Sequence, residues 1–188
     1  IFIAAIGAFQ FVKMGFFPAS TTPQIAIDYW LPEGTAIETT TADLKQIEDY
    51  LLAQDGVERV HTIAGASGLR YMLIYQVSNP NAAFGQVLLR VDEYDKIEGL
   101  VPQIQTWLEE TFPAAQPRVW KFTLGPSQGS KIEAVFQGPD PAVLRELSVQ
   151  AQAILQAAPQ AKGVKTNWRQ EVPAITPEYD SERARRLG

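Results

Sequence analysis

One strand–helix–strand phrase occurs twice in this chain. The first copy, IAIDYWLPEGTAIETTTADLKQIEDYLLAQDGVERVHTI, runs from Ile25 to Ile63. The second, IEAVFQGPDPAVLRELSVQAQAILQAAPQAKGVKTNWR, runs from Ile132 to Arg169. Each has an apolar strand, a Pro-marked break, an amphipathic helix, a Gly-Val pair and a further strand. A repeat of supersecondary structure constrains architecture before any single motif does.

In the first copy, Ile25, Ile27 and Tyr29 alternate with Ala26, Asp28 and Trp30, the period-two pattern of a strand. Pro32 and Gly34 end it, and Thr35 with Glu38 has capping-box spacing for the helix that follows. Leu44, Ile47 and Leu51 form that helix's buried stripe. Gly56 stops it, Val57 to Ile63 is the next strand, and Ala64 to Gly68 is a small-residue loop suited to a mobile turn. Leu69 to Val77 reads as a strand, Asn79 to Asn81 as a turn, and Gln86 to Val91 as a strand paired with its predecessor. Ile97, Leu100, Val101, Ile104, Trp107 and Leu108 define the clearest helix of the chain. Arg118 to Leu124 is a strand and Gly125 to Gly129 a linker.

The first unit is thus expected to be a ferredoxin-like βαββαβ sandwich, an α+β fold with two helices on one face of an antiparallel sheet. The second unit starts at Ile132. Asp140 is placed to cap a helix opening at Pro141, with Leu144, Leu147, Ala151 and Ile154 as its apolar stripe. Strands are expected from Gly163-Val164 and over Val172 to Tyr179, and a helix from Ser181 to Leu187. That unit lacks its last strand, so the expectation is two sandwich subdomains, 18–126 complete and 127–188 partial, within a longer protein.

The opening run IFIAAIGAFQFV is apolar but shorter than the ~20 residues that cross a bilayer. Lys13, Phe16, Phe17 and Pro18 follow it as a snorkelling cation, an aromatic belt and a helix stop. Residues 1–17 are therefore read as the end of a transmembrane helix. The formal net charge of −5, from 16 basic and 21 acidic residues, argues against a nucleic-acid partner. The absence of cysteine removes disulfides, thiolate nucleophiles and cysteine zinc sites.

An apolar helix end followed by FFPAS, a strand and LPEGT resembles the first periplasmic stretch of resistance-nodulation-division (RND) efflux transporters of the acriflavine-resistance type. Gly56-Val57, Gly125-Pro126, the strand ending at Gly138 before Pro139-Asp140, and the tail from Tyr179 to Gly188 keep the family's order of landmarks. FFPAS and the loop around Ala64 to Gly68 are more similar to the family's C-terminal half. The resemblance implies a porter segment of a multi-pass inner-membrane antiporter, with the segment itself periplasmic. It also implies amphiphilic small-molecule substrates, a homotrimer, a periplasmic adaptor and an outer-membrane channel.

The same resemblance implies site residues. His61 would line the deep pocket, and Leu69 and Tyr71 would bind substrate. Gly65, Ala66, Ser67 and Gly68 would belong to the switch loop, whose glycines give it backbone range. Trp120 and Phe122 would line the outer cleft, as would Lys165 and Trp168 of the second unit. From the residues alone, Trp120 and Phe122 share one sheet face and fit a core equally well.

Other chemistry is poorly represented. His61 is the only histidine and has no partner pattern for general base work or metal ligation. Asp92, Glu93 and Asp95 read as a solvated turn, outside any oxygen-ligand loop pattern. The glycines from 125 to 129 lack the Gly-Lys-Ser/Thr ending of a phosphate loop. No enzyme, cofactor or metal site is expected. The competing reading is a soluble ferredoxin-like ligand-binding or regulatory module. An acylphosphatase-like enzyme is disfavoured because Leu31 to Thr35 holds neither the arginine nor the asparagine it needs.

Overall fold

Apolar alternation becomes a four-stranded sheet when the chain folds. The computed structural model describes residues 21–68, 77–122, 132–158, 160–173, 175 and 185–186. In chain order the elements are β1 (Gln24–Trp30), α1 (Ile37–Leu52), β2 (Val57–Ala64), β3 (Phe84–Val91), a 3-10 turn (Tyr94–Lys96), α2 (Ile97–Thr111), β4 (Gln116–Lys121) and α3 (Pro141–Gln156). The strand order is β2-β3-β1-β4, and every neighbouring pair is antiparallel. β1 and β2 therefore run parallel to each other with β3 inserted between them.

Ile25, Ile27 and Tyr29 of β1 face the helices together with Val87 and Leu89 of β3 and Val119 of β4. Leu44, Ile47 and Leu51 of α1 and Ile97, Leu100, Ile104 and Leu108 of α2 complete that layer. The expected stripes of both helices are the buried ones, apart from Val101 and Trp107, which are only partly covered. Trp107 instead stacks flat on Tyr50 at 3.6 Å, joining α2 to α1.

Two polar side chains hold this layer in register. Thr40 donates to the Ala82 carbonyl at 2.6 Å. Gln105 of α2, buried beside its apolar neighbours, accepts from Val119 N and donates to the Pro117 carbonyl. Those groups point away from β1 at the edge of the sheet, so Gln105 closes an edge that would otherwise be left unpaired.

Several expectations are corrected. The capping box does not form: Ala36 is the N-cap of α1 without a side-chain bond, and Thr35 Oγ1 donates back to the Pro32 carbonyl at 2.7 Å. The Pro32 turn captures that hydroxyl before it reaches the helix. The turn before β3 closes through Phe84 N to the Asn81 carbonyl, two residues later than expected. β3 pairs with β1 and β2. Its expected partner over 69–77 falls almost wholly outside the described residues, as do residues 1–20 and the linker at 125–129.

In the second unit, Asp140 caps α3 as expected, accepting from Ala142 N at 2.8 Å. The stripe of α3 is not buried: Leu144 and Ala151 are half-covered, while Leu147 and Ile154 are exposed. No strand forms among the described residues of 132–138, 163–169 or 171–173. Apolar alternation makes a strand only when a neighbouring backbone completes the ladder. Ile132 and Val135 are instead about three-quarters exposed, at 76% and 74%.

Candidate functional site

Directly opposed residues of antiparallel strands share a sheet face. Two rows cross the face turned away from the helices: His61–Leu88–Ala26–Trp120, and Ile63–Gln86–Asp28–Arg118. Asp28 stands near the middle of the second row. Its Oδ1 accepts from Gln86 Nε2 at 2.9 Å and its Oδ2 from the Trp120 indole at 3.0 Å. Gln86 is fully buried and its Oε1 accepts from Gly68 N at 2.9 Å. One hydrogen-bonded path therefore runs from the small-residue loop through β3 and β1 to β4.

A groove of about 400 Å³ lies where this face meets the segment after α3. Asp28, Trp30 and Arg118 form one wall, and Val164 and Lys165 the other. Lys162 pairs with Glu109 at 3.0 Å at one end. Burial of the Lys165 ammonium, with Arg118 and Arg169 nearby, pushes it below the usual lysine range, while Asp28 opposes the shift. The residue as a whole remains solvent-exposed. A second hollow of about 440 Å³ holds Glu33, Arg145, Trp168 and Arg169. The Arg145 guanidinium sits 5.3 Å over the Trp168 ring.

The fold unites only part of the expected site. Trp120 and Phe122 lie side by side on the open face, ring centroids 5.2 Å apart. Neither joins the helix-side core, although Phe122 is 4% exposed. Lys165 shares the groove with Asp28, whereas Trp168 lines the neighbouring hollow. His61 is exposed on β2, at the opposite edge of the sheet from β4 and roughly 14 Å from it at the usual strand spacing. It borders neither hollow. Leu69 and Tyr71 lie outside the described residues.

Gly65 to Gly68 is anchored by hydrogen bonds along its length. Gly65 N donates to the Phe84 carbonyl at 2.7 Å, and Ser78 N donates to Ser67 Oγ at 2.8 Å. Gly65 needs its residue type: φ is +77°, and a Cβ would meet Ile37 Cδ1 at 2.8 Å. The acidic turn is an ion-pair site, with Lys96 at 2.8 Å from Asp92 and 3.3 Å from Asp55. The hydrogen bond from Lys96 holds the Asp92 carboxyl below its usual range.

Sequence reasoning passed over Asp28, Gln86, Arg118 and Arg169. A signal existed for Asp28, a charge on the strand face opposite Ile25, Ile27 and Tyr29. Nothing local marked Gln86 or Arg169, whose partners lie far along the chain.

These features define an α+β protein whose antiparallel sheet buries one face under two helices and offers the other as a polar and aromatic groove wall. The chain belongs to the AcrB/AcrD/AcrF family, whose model matches residues 1–188, within the RND efflux group that the sequence landmarks resemble. No curated protein matches it. Two crystal forms of a heavy metal efflux pump share the fold, with TM-scores of 0.65 and 0.63 at 16% identity. The alignments cover 99% and 100% of this chain and 20% of each of those chains. Among the described residues no helix is long and apolar enough to cross a membrane.

Proposed function

We propose that this chain is a periplasmic porter segment, from the C-terminal half, of a proton-driven inner-membrane efflux pump. Residues 18–126 are the first, ferredoxin-like subdomain, and residues 127–188 belong to the second. The family match over the whole chain carries this reading. The β2-β3-β1-β4 order of the βαββαβ unit supports the ferredoxin-like assignment.

The groove between the open sheet face and residues 162–165 is one wall region of the substrate path. Its lining is largely polar, with Asp28, Glu109, Arg118 and Lys165 around Trp30, so it suits the polar end of an amphiphile, while Trp120 and Phe122 on the same sheet face offer apolar surface for the rest. In the whole pump, a homotrimer joined to an adaptor and an outer-membrane channel, tilting of the two subdomains opens and closes this cleft in alternating access. Lys165 contacts substrate there, and Trp120 and Phe122 contact it further along the same sheet face. Leu69, Tyr71 and Trp168 belong to neighbouring parts of the path, His61 to its far edge, and Gly65 to Gly68 to the loop dividing it. Residues 1–17 are the end of the preceding membrane helix.

The experiment replaces Trp120 and Phe122 with Ala in the full-length protein. Resistance to a panel of amphiphilic drugs and heavy-metal salts is then compared at equal protein abundance. A changed drug profile supports the reading. Unchanged resistance to every drug would make the two rings structural only. Loss confined to metal salts would favour a metal-ion cargo, the alternative raised by the heavy metal pumps that share the fold.

A further inference from the structure

Arg169 reaches from the second unit to the turn that follows β1. Its Nη2 donates to the Leu31 carbonyl at 2.6 Å. Its guanidinium lies 3.8 Å over the Trp30 ring, and its buried Nε forms an ion pair with Glu33, outside hydrogen-bond alignment. The receiving surface is prearranged. Asn81 Nδ2 holds both Glu33 oxygens at 3.2 and 3.0 Å, and Trp30 packs on Phe84 at 4.2 Å between centroids. On the other side, Arg145 of α3 donates to the Arg169 carbonyl at 3.4 Å and pairs with Glu171 at 2.8 Å.

These contacts pin one end of the segment that carries Lys165 and Trp168. The other end is pinned by the Lys162–Glu109 pair, which is more exposed and has no stacking partner among the described residues. Between the two pins lie the groove residues Val164 and Lys165.

We infer that Arg169 is a positioning residue: seated on Trp30, Leu31 and Glu33, it holds the 162–169 segment against the open sheet face and so sets the width of the groove. Its planar fork suits this task. It stacks on a ring, pairs with a carboxylate and donates to a carbonyl at once, which a lysine ammonium cannot do. The effect on transport rests on the export reading above; the effect on groove geometry does not.

The test uses full-length protein without other cysteines and carrying Val164→Cys, labelled with a maleimide. Arg169→Ala should speed labelling at least fivefold, and Arg169→Lys should give an intermediate rate. Glu33→Arg alone should speed it, and Glu33→Arg with Arg169→Glu should return it part of the way. An unchanged rate in Arg169→Ala overturns the proposal. So does equal acceleration at a control Leu100→Cys in the helix-side core, which would mean general loosening. In the export assay, Arg169→Ala should raise the half-saturating substrate concentration severalfold while the maximal rate is kept; a fall in maximal rate alone counts against a positioning role. A wild-type protein that exports nothing would sink the export reading, while the labelling rates would still decide the role of Arg169.

Discussion

The Trp120 indole donates to Asp28 Oδ2 across the β1–β4 ladder, 3.0 Å away, while Gln86 holds the other oxygen from β3. This carboxylate ties three strands together on the open face. Asp28→Ala removes an acceptor from two donors, one on a fully buried side chain, and is expected to cost about 1–3 kcal/mol. Asp28→Asn keeps the shape and an acceptor oxygen and should cost less. Urea unfolding of both variants checks the order.

Gly85 lies beneath Leu44. A Cβ at position 85 would sit 2.4 Å from Leu44 Cδ1, closer than any real contact. Gly85→Ala should therefore destabilise by about 1–3 kcal/mol through forced movement of α1. Leu44→Ala alone should cost about 2–5 kcal/mol. The double variant should be more stable than the sum of the two losses implies, because each change relieves the other. A thermal-unfolding double-mutant cycle measures that coupling.

Gln105 serves the outer edge of β4 with both ends of its amide. Gln105→Leu would bury a methyl-rich side chain well but strip Val119 N and the Pro117 carbonyl of this partner. The expected loss is about 1–3 kcal/mol. Gln105→Glu retains an acceptor for Val119 N but sets a buried carboxylate against the Pro117 carbonyl and against Glu109, which accepts from Gln105 Nε2 at 2.8 Å, so at neutral pH it should cost at least as much as the leucine variant. Hydrogen exchange at the Val119 amide should accelerate in Gln105→Leu.

Tyr29 is buried and donates to Asp43 at 2.8 Å. Burial first, then the hydrogen bond to Asp43 and the charge of that carboxylate, raise the phenol far above its ordinary value near 10. The folded state thus keeps a proton that the unfolded chain releases above about pH 10. The stabilisation is fully present below that pH and declines as pH rises beyond it. Tyr29→Phe should cost about 1 kcal/mol at neutral pH and flatten the alkaline decline. Urea midpoints between pH 8 and 11 check both effects.

Much of the first unit was legible because its signals are periodic. Ile25, Ile27 and Tyr29, the stripe Leu44–Ile47–Leu51, and the run from Ile97 to Leu108 each repeat at the spacing of the element they form. The cap at Asp140 was legible for the same local reason: Asp before Pro at a helix start has few other uses. Thr35 misled because a hydroxyl chooses among nearby backbone groups, and the choice depended on the Pro32 turn. The expected strands from Ile132 and from Gly163-Val164 did not form, on a different ground, while most of the one expected over Val172 to Tyr179 lies outside the described residues. Alternation in IEAVF describes a chain able to pair, and pairing requires a second backbone.

The candidate site divides along the same line. The aromatic pair Trp120 and Phe122 could be placed on one face from their spacing, since side chains alternate along a strand. Which face it was, and that Asp28 and Lys165 share a groove beside it, depended on where the helices packed. The seating of Arg169 on Trp30 and Glu33 joins residues more than 130 positions apart. Local sequence determined the strands, the helices and their apolar faces through steric and hydrophobic periodicity. Tertiary structure alone decided the polar partnerships that shape the groove, because hydrogen bonds and ion pairs act over a few ångströms in space regardless of distance along the chain.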